Sequence, residues 1–420
     1  MRSRPSPRLL VALLAIPPLL ACSVGSGGTS SSGTATTPPP VCATHATTTA
    51  RAWVAGQQIA GSVGGGAVST LSNFVSPLGL PSEADTGDLA WYPDNITWSP
   101  DAHHIAVDVY LPVPDSNAST YPYLIDTTTH AVTRINAPVN TDNEGLRNLA
   151  WADNNTLLIL TGDTPGKSPV PSPAAVYSYN VATTALTTLP GIAHMATDGV
   201  VRCNTLFYME VTPFTNIGVD SNGANEFRGS ALLHRYNLTT HTEIGGPITF
   251  SDTFNADGSF GFYIVPGWDV SADGTKIAYQ HMATHLSTAP HDYSVKSTFF
   301  AAGADGSGAT QIFGGTNPVF TYSGVKLAIS PNAANVAITS AFPSPDIATD
   351  SMTGGSLRYY SPDGYFYPAW LPDSSGFDAS AESGSSRFVE RYLLSTPLGG
   401  SGLAPGSLLV SSASDPASLP

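Results

Sequence analysis

The chain has 420 residues, including 40 Gly and 35 Pro, and only 11% of its residues are charged. Soluble domains carry about 25% charged residues, so the chain lacks the Lys, Arg and Glu that long exposed helices need, and we exclude a coiled coil or helical bundle. The hydrophobic content of 41% excludes global disorder. A net charge of −15 opposes bulk electrostatic binding of a phosphate backbone, so we expect no nucleic-acid partner.

The N-terminus has the pattern of an export signal. Basic residues at Arg2, Arg4 and Arg8 precede an apolar stretch over 9–20, which is too short to span a bilayer comfortably. The stretch ends in Ala21-Cys22, followed by Ser and Gly. This arrangement resembles the lipobox of bacterial lipoproteins, which implies cleavage after Ala21 and acylation of the Cys22 thiol. The alternative is an ordinary secretory signal cleaved near Ala21.

We therefore predict three segments: a lipoprotein signal peptide over 1–21, a flexible tether over 22–45 and a folded domain over 46–420. The tether is rich in Ser, Gly, Thr and Pro, as flexible linkers are. The expected partner of this region is the lipid bilayer, through the acylated Cys22, and the expected location is extracytoplasmic, anchored to a bacterial membrane. No further stretch reaches 18 uninterrupted apolar residues.

The cysteine count fits an oxidising compartment. If Cys22 is lipidated, Cys42 and Cys203 remain as an even pair, and a disulfide between them is possible. The alternative is two separate thiols, with Cys203 on a buried strand.

One pattern recurs six times and carries the prediction of the fold. An apolar anchor is followed by a short polar turn and by another apolar residue seven positions later. The anchors are Trp98, Trp151, Val200, Val270, Ile329 and Trp370. Turn residues between two β-branched or aromatic runs predict a hairpin. A second hairpin follows several of the repeats, for example Tyr123–Asp126 with Val132–Ile135.

Two hairpins per repeat make a four-stranded antiparallel sheet of about 50 residues, which is the size of a propeller blade. We therefore predict an all-β protein, a six-bladed β-propeller, with seven blades as the alternative because residues 50–80 are left unassigned. A β-sandwich with repeated turns is the other architecture considered. We expect the tryptophan anchors to pack between blades.

The repeat Trp98-Ser99-Pro100-Asp101, followed by Ile105-Ala106, resembles the TolB-like, WD40-like propeller repeat. The same repeat occurs in the propellers of prolyl oligopeptidase relatives. The resemblance covers roughly 90–395, and the second and third repeats depart from it at Asn154-Asn155 and Cys203-Asn204. It implies binding of a protein partner at the cell envelope. Residues 41–89 are too short and too Gly- and Ser-rich for the α/β domain that precedes the propeller in TolB-type proteins.

Few residues suggest chemistry. The chain lacks a G-x-S-x-G nucleophile elbow, an H-E-x-x-H motif, a C-x-x-C pair and a P-loop, so we expect no cofactor and predict no catalytic residue. His281, His285 and His291 are weak candidates for a metal site, and a solvated loop is the favoured interpretation.

The sequence thus favours a binding or scaffolding propeller for an envelope protein or a glycan. The alternative is a stand-alone propeller enzyme, of the metal-dependent lactonase or lyase type, with its site in the central channel. Whether the chain is an enzyme stays open, with binding favoured.

Overall fold

A computed structural model of the chain describes residues 50–55, 58–64, 66–73, 92–111, 119–138, 144–163, 175–192, 196–212, 215–219, 225–255, 263–264, 267–286, 293–313, 325–340, 346–360, 364–383, 386–396, 406–411 and 414–418. The chain divides into Met1–Pro39 and Pro40–Pro420, and the second unit contains every described strand. The described residues begin at Ala50, so the predicted signal peptide over 1–21 and the predicted tether over 22–45 lie outside them.

The described strands form seven antiparallel sheets arranged as the blades of a propeller. The prediction of six blades is wrong, and the seven-blade alternative is correct. Six blades match the six repeats of the sequence. The extra blade was missed because it lacks the repeat and is built from both ends of the chain: three strands within residues 50–73 and one within 414–418.

Blades are numbered from the N-terminus. Blade 1 contains β1 (Ala50–Ala55), β2 (Gln58–Val63), β3 (Ser69–Asn73) and the last strand of the chain, β31 (Ser414–Ser418). Blade 2 contains β4 (Tyr92–Trp98), β5 (His104–Leu111), β6 (Ser119–Asp126) and β7 (Val132–Arg134). Blade 3 contains β8 (Glu144–Asp153), β9 (Thr156–Asp163), β10 (Val176–Asn180) and β11 (Leu186–Thr188).

Blade 4 is larger because its third and fourth strands are extended. It contains β12 (Ala196–Arg202), β13 (Thr205–Val211), β14 (Thr215–Val219), β15 (Asn225–Asn237), β16 (Thr242–Glu243), β17 (Ile248–Asn255) and β18 (Tyr263–Ile264). One edge of β15 pairs first with β14 and then with β13, whereas β16 and β17 together pair with its other edge.

The last three blades again have four strands each. Blade 5 contains β19 (Trp268–Val270), β20 (Lys276–Leu286), β21 (Tyr293–Gly303) and β22 (Thr310–Ile312). Blade 6 contains β23 (Lys326–Ile329), β24 (Asn335–Ser340), β25 (Asp346–Ser351) and β26 (Arg358–Tyr359). Blade 7 contains β27 (Gly364–Trp370), β28 (Gly376–Ser383), β29 (Ser386–Leu393) and β30 (Ser407–Ser411).

The repeated motif is the hairpin between the first two strands of a blade. Five of the six anchors pair with the residue seven positions later, as Trp98 does with Ile105, while a bulge pairs Trp151 with Leu157. Residues with positive φ occur in five of these turns: Cys203 and Asn204 in one, and Ala102, Gly274, Ala333 and Ser374 in the other four. Because L-residues rarely adopt this conformation, Gly274 is the least strained of the four.

An apolar cluster fills each of the seven interfaces between neighbouring blades. Trp53 of blade 1 packs with Val389 of blade 7, and Val54 belongs to the cluster shared with blade 2. The remaining interfaces hold five further clusters. The core of the molecule is therefore a ring of inter-blade layers, and β31 closes that ring by pairing with β1.

The two faces of the propeller differ. The first strand of each blade ends at a face that we call the turn face, where the repeated hairpin turns lie. Connections over 74–91, 164–175 and 313–325 join strand ends at the opposite face, which we call the long-connection face. The turn face has one comparable connection, over 394–406.

Two long hairpins also project from blades 4 and 5 at the long-connection face. β20 and β21 pair over their whole length, from Lys276–Gly303 to Leu286–Tyr293, whereas β19 covers only the first part of β20. The N-terminal half of β15 extends in the same direction with β14 and β17, and β17 contacts β20. The long-connection face therefore carries a raised edge on one side.

Candidate functional site

The innermost strands of the blades surround the central channel. Contacts run from β31 to β4, β8, β12, β19, β23, β27 and back to β31. Polar side chains on these strands are the candidates for a site, since a propeller places its channel where residues from several blades converge.

Hydrogen bonds connect successive inner strands. The indole Nε1 of Trp151 donates to the carbonyl of Thr97 at 3.3 Å. The indole Nε1 of Trp370 donates to the carbonyl of Ala328 at 2.7 Å. Both indoles are more than nine-tenths buried, so these tryptophans pack between blades as predicted from the repeat.

Blades 3 to 6 are joined by polar and charged side chains. Asn148 of β8 donates through Nδ2 to Asp198 of β12 and, at 2.7 Å, to the carbonyl of Gly199. Arg202 of β12 donates through Nε to the carbonyl of Val270 at 3.2 Å. These bonds hold the channel wall together at a point where the strands carry ionisable groups.

Asp269 lies at the centre of this wall. Its Oδ2 accepts from the amide of Ile329 at 2.7 Å, and its Oδ1 lies 3.8 Å from the guanidinium of Arg202. Burial raises the pKa of Asp269, and Arg202 opposes the shift. Its side chain is nevertheless 19% exposed, so the carboxylate lines a recess that solvent reaches.

Asp198 has a related environment. Burial raises its pKa, whereas Lys326 of β23 and the hydrogen bonds from Gly199 and Asn148 lower it. The negative charge of Asp198 also acts on Asp269. Two carboxylates, one guanidinium and one ammonium group thus interact on neighbouring inner strands, and such groups can bind a ligand with hydroxyl or charged groups. We call these four residues the channel cluster.

A second polar cluster lies on blade 4. His234 Nε2 is 2.7 Å from Glu210 Oε2, its Nδ1 is 3.7 Å from Glu243 Oε1, and Tyr208 stacks on the imidazole at 4.8 Å. The Tyr208 hydroxyl donates to Glu243. Burial lowers the pKa of His234, but the hydrogen bonds that the imidazole donates to the two carboxylates outweigh it and raise the pKa to about 9. The imidazole is therefore a cation held between two acids.

Two of the three histidine candidates lie on one strand. His281 and His285 are four residues apart on β20, a spacing of about 13 Å along the strand. His291 lies outside the described residues. Those described residues also contain no group of three or more His, Cys, Asp or Glu that could hold a metal.

Cys203 is disulfide-bonded. Its Sγ lies 3.2 Å from the carbonyl oxygen of Asp273, in the turn of the neighbouring blade. The other two cysteines, Cys22 and Cys42, lie outside the described residues, so the pairing with Cys42 and the acylation of Cys22 stay predictions. Within the described part of the chain, no helix has the length and apolarity to cross a membrane.

Sequence reasoning missed both polar clusters. The signal for the channel cluster was available, because Asp198 and Asp269 each lie within two residues of an anchor and so belong to an inner strand. The cluster around His234 needs the cross-strand pairing of Tyr208 with His234, which the sequence does not reveal.

No protein-family description matches the chain, and no curated protein matches it. Solved structures do. The propeller is similar to a prolyl endopeptidase, with a TM-score of 0.51 and 11% identity over 88% of this chain and 50% of that one. This chain therefore spans half of that enzyme.

A hypothetical selenium-binding protein from Sulfolobus tokodaii has a TM-score of 0.51 and 11% identity, over 88% of this chain and 92% of that one. TolB from Acinetobacter baumannii has a TM-score of 0.42 and 10% identity, over 89% and 67%. Identities this low show the fold alone. The two structures with TM-scores of 0.51 agree with the propeller expected from the repeat.

Proposed function

We propose that the chain is a membrane-anchored extracytoplasmic propeller that binds an envelope protein or a glycan on its long-connection face. The observation that carries the proposal is the asymmetry of the two faces. Three long connections and the two projecting hairpins of blades 4 and 5 occur on the long-connection face, against one comparable connection on the turn face, and binding residues concentrate on loops that a rigid scaffold positions.

Site-specific photocrosslinking in envelope preparations tests this arrangement. A photoreactive residue in place of Asp163 lies at the long-connection end of β9, and one in place of Asn154 lies at the turn-face end of the same hairpin. We expect a discrete adduct, identified by mass spectrometry or lectin blotting, from position 163 and none from position 154. Adducts from position 154 alone, or from neither position, would contradict the proposal.

Anchoring is a separate part of the proposal and rests on the N-terminal pattern ending in Cys22. Radioactive palmitate is expected to be incorporated into the original chain. The label is expected to be absent from Cys22→Ser. Unchanged labelling in Cys22→Ser, or no labelling of the original chain, would reject lipid anchoring and leave the binding proposal to be judged on the crosslinks.

The second candidate function is an enzyme with its site in the channel. It is favoured by Asp198 and Asp269, because burial raises the pKa of both carboxylates and perturbed acids are common in catalytic sites. Metal analysis of the purified protein is the first test, since stoichiometric calcium or zinc that is lost in Asp198→Asn would support the metal-dependent form. A metal-free protein would leave this candidate without its lactonase-type chemistry.

A further inference from the structure

The interface between blades 7 and 1 places two arginines side by side. Trp53 of β1 and Val389 of β29 pack together there. Strand β1 runs away from the turn face, and β29 runs towards it. Because side chains alternate along a strand, Arg51 shares the face of Trp53 and Arg391 shares that of Val389. Arg51 lies two residues nearer the turn face than Trp53, and Arg391 lies two residues nearer it than Val389.

Only one of the two guanidinium groups is neutralised by direct contact. Arg391 donates to Asp378 through Nε at 2.7 Å and through Nη2 at 3.0 Å, and Asp378 is 1% exposed. Among the described residues Arg51 makes no comparable pair, and its Nε is buried without a hydrogen-bond partner. Burial lowers the pKa of Arg51, and so does the positive charge of Arg391.

The carboxylates around Arg51 act at longer range. Asp378 and Asp373 both raise the pKa of Arg51, but Asp378 already accepts two hydrogen bonds from Arg391. The Oδ1 of Asp373 accepts from the amide and hydroxyl of Ser375. Leaving a buried N–H donor without an acceptor costs free energy, and no described residue supplies an acceptor for Arg51 Nε.

One exposed aliphatic side chain lies beside the two arginines. Leu393 is 37% exposed and lies two residues after Arg391 on the same face of β29. A basic pair is uncommon on a chain with 16 Lys and Arg against 31 Asp and Glu.

We propose that Arg51 and Arg391 form a binding site for a phosphate group at the turn-face end of the interface between blades 7 and 1. The planar fork of a guanidinium matches two oxygens of a phosphate. The phosphate belongs either to a soluble ester or to a lipid headgroup whose chains contact Leu393. This site lies on the opposite face from the proposed partner-binding surface and does not depend on it.

Titration of the full chain with inorganic phosphate, followed by ³¹P NMR at constant ionic strength, tests the site. Charged hydrogen bonds contribute about 1.5–3 kcal/mol, so Arg51→Gln is expected to weaken binding by about tenfold or more. The matched control is Arg134→Gln, which removes an exposed arginine from blade 2 and is expected to bind as the original chain does. Equal binding by Arg51→Gln, or no binding by the original chain, would overturn the proposal.

Arg51 is the better substitution because its guanidinium makes no hydrogen bond that the fold needs. The melting temperature of Arg51→Gln without phosphate is therefore expected to stay unchanged, and a large drop would mean that Arg51 is structural and reject the site. Glycerol phosphate and dihexanoyl phosphatidylglycerol separate the two sources. Tighter binding of the lipid supports a headgroup site with an aliphatic rim, and equal binding supports a site for soluble phosphate esters.

Discussion

Three serines in equivalent turns show how single residues define the repeat. Ser99, Ser271 and Ser330 are all completely buried. Each hydroxyl donates to the Asp or Asn two residues later, over 2.6–2.8 Å, and accepts from the amide five residues later, over 2.9 Å in each case. The serine therefore fastens both sides of the turn, which explains why Ser precedes Pro or Ala in the motif.

Ser271→Ala tests the energy of this turn. The change removes the acceptor for the Lys276 amide and the donor to Asp273, so we expect a loss of about 1–2 kcal/mol in the free energy of unfolding. Urea denaturation measures it. Ser375→Ala is the matched control, because Ser375 is exposed and its hydroxyl also donates to an aspartate, Asp373. A similar loss in both variants would contradict the role of burial.

The His234 cluster predicts a dependence of stability on pH. Its pKa is raised from about 6.5 to about 9 in the folded protein, so the stabilisation is complete below pH 6.5 and is lost as the pH rises through 9. A shift of this size corresponds to about 3 kcal/mol. Urea midpoints measured from pH 6 to pH 10 are expected to fall, and the fall is expected to be smaller in His234→Gln. Parallel profiles would contradict this account.

Whether a blade could be predicted from the sequence depends on how close its paired strands are in the chain. Hairpins of blades 2, 5, 6 and 7 were predictable because a local turn sets their register. Blade 1 was not, since its closing strand β31 lies more than 300 residues from β1 in the chain. The fourth strand of blade 4 was also not predictable as a whole, because β16 and β17 are separate segments along β15.

The second hairpin of several blades has its own local signal. Asp126, Asn180 and Asn237 each accept backbone amides two or three residues later through the side-chain oxygen. A residue with positive φ ends each of these turns: His130, Thr184 and His241. Asx turns of this kind are local, which is why these hairpins could be predicted from the sequence. The channel cluster could be predicted only in part, because its inter-blade contacts are not local.

Gly267→Ala tests how closely the inner strands approach. A Cβ at this position would lie 2.6 Å from the carbonyl oxygen of Val325 in the next blade. We expect a loss of about 1–3 kcal/mol in the free energy of unfolding, typical of overpacking. Gly246→Ala is the control, because nothing lies within 4 Å of its added Cβ. Equal stability of the two variants would show that the strands separate without cost.

The whole ring depends on a short closing strand. β31 pairs with β1 at Arg51–Ser418, Ala52–Ala417 and Val54–Ser414, with a bulge between the last two pairs, and contacts both neighbouring inner strands. Ending the chain after Ser411 removes that strand. The β1 edge is then unpaired, and unpaired edges promote aggregation.

We expect the chain truncated after Ser411 to lose its cooperative thermal transition and to associate, as measured by calorimetry and size-exclusion chromatography. Truncation after Ser418 is the control, because it keeps β31 and removes only Leu419 and Pro420. A monomeric truncated chain with an unchanged transition would show that the closing strand is dispensable.

The position of β31 at the end of the chain also determines the order in which the blades can be completed. A ribosome that has delivered Ser411 has made every strand of blades 2 to 7, yet the first blade still has three strands. The N-terminal blade is therefore the last to be completed. The free edge of β1 must therefore stay away from other chains until residues 414–418 pair with it.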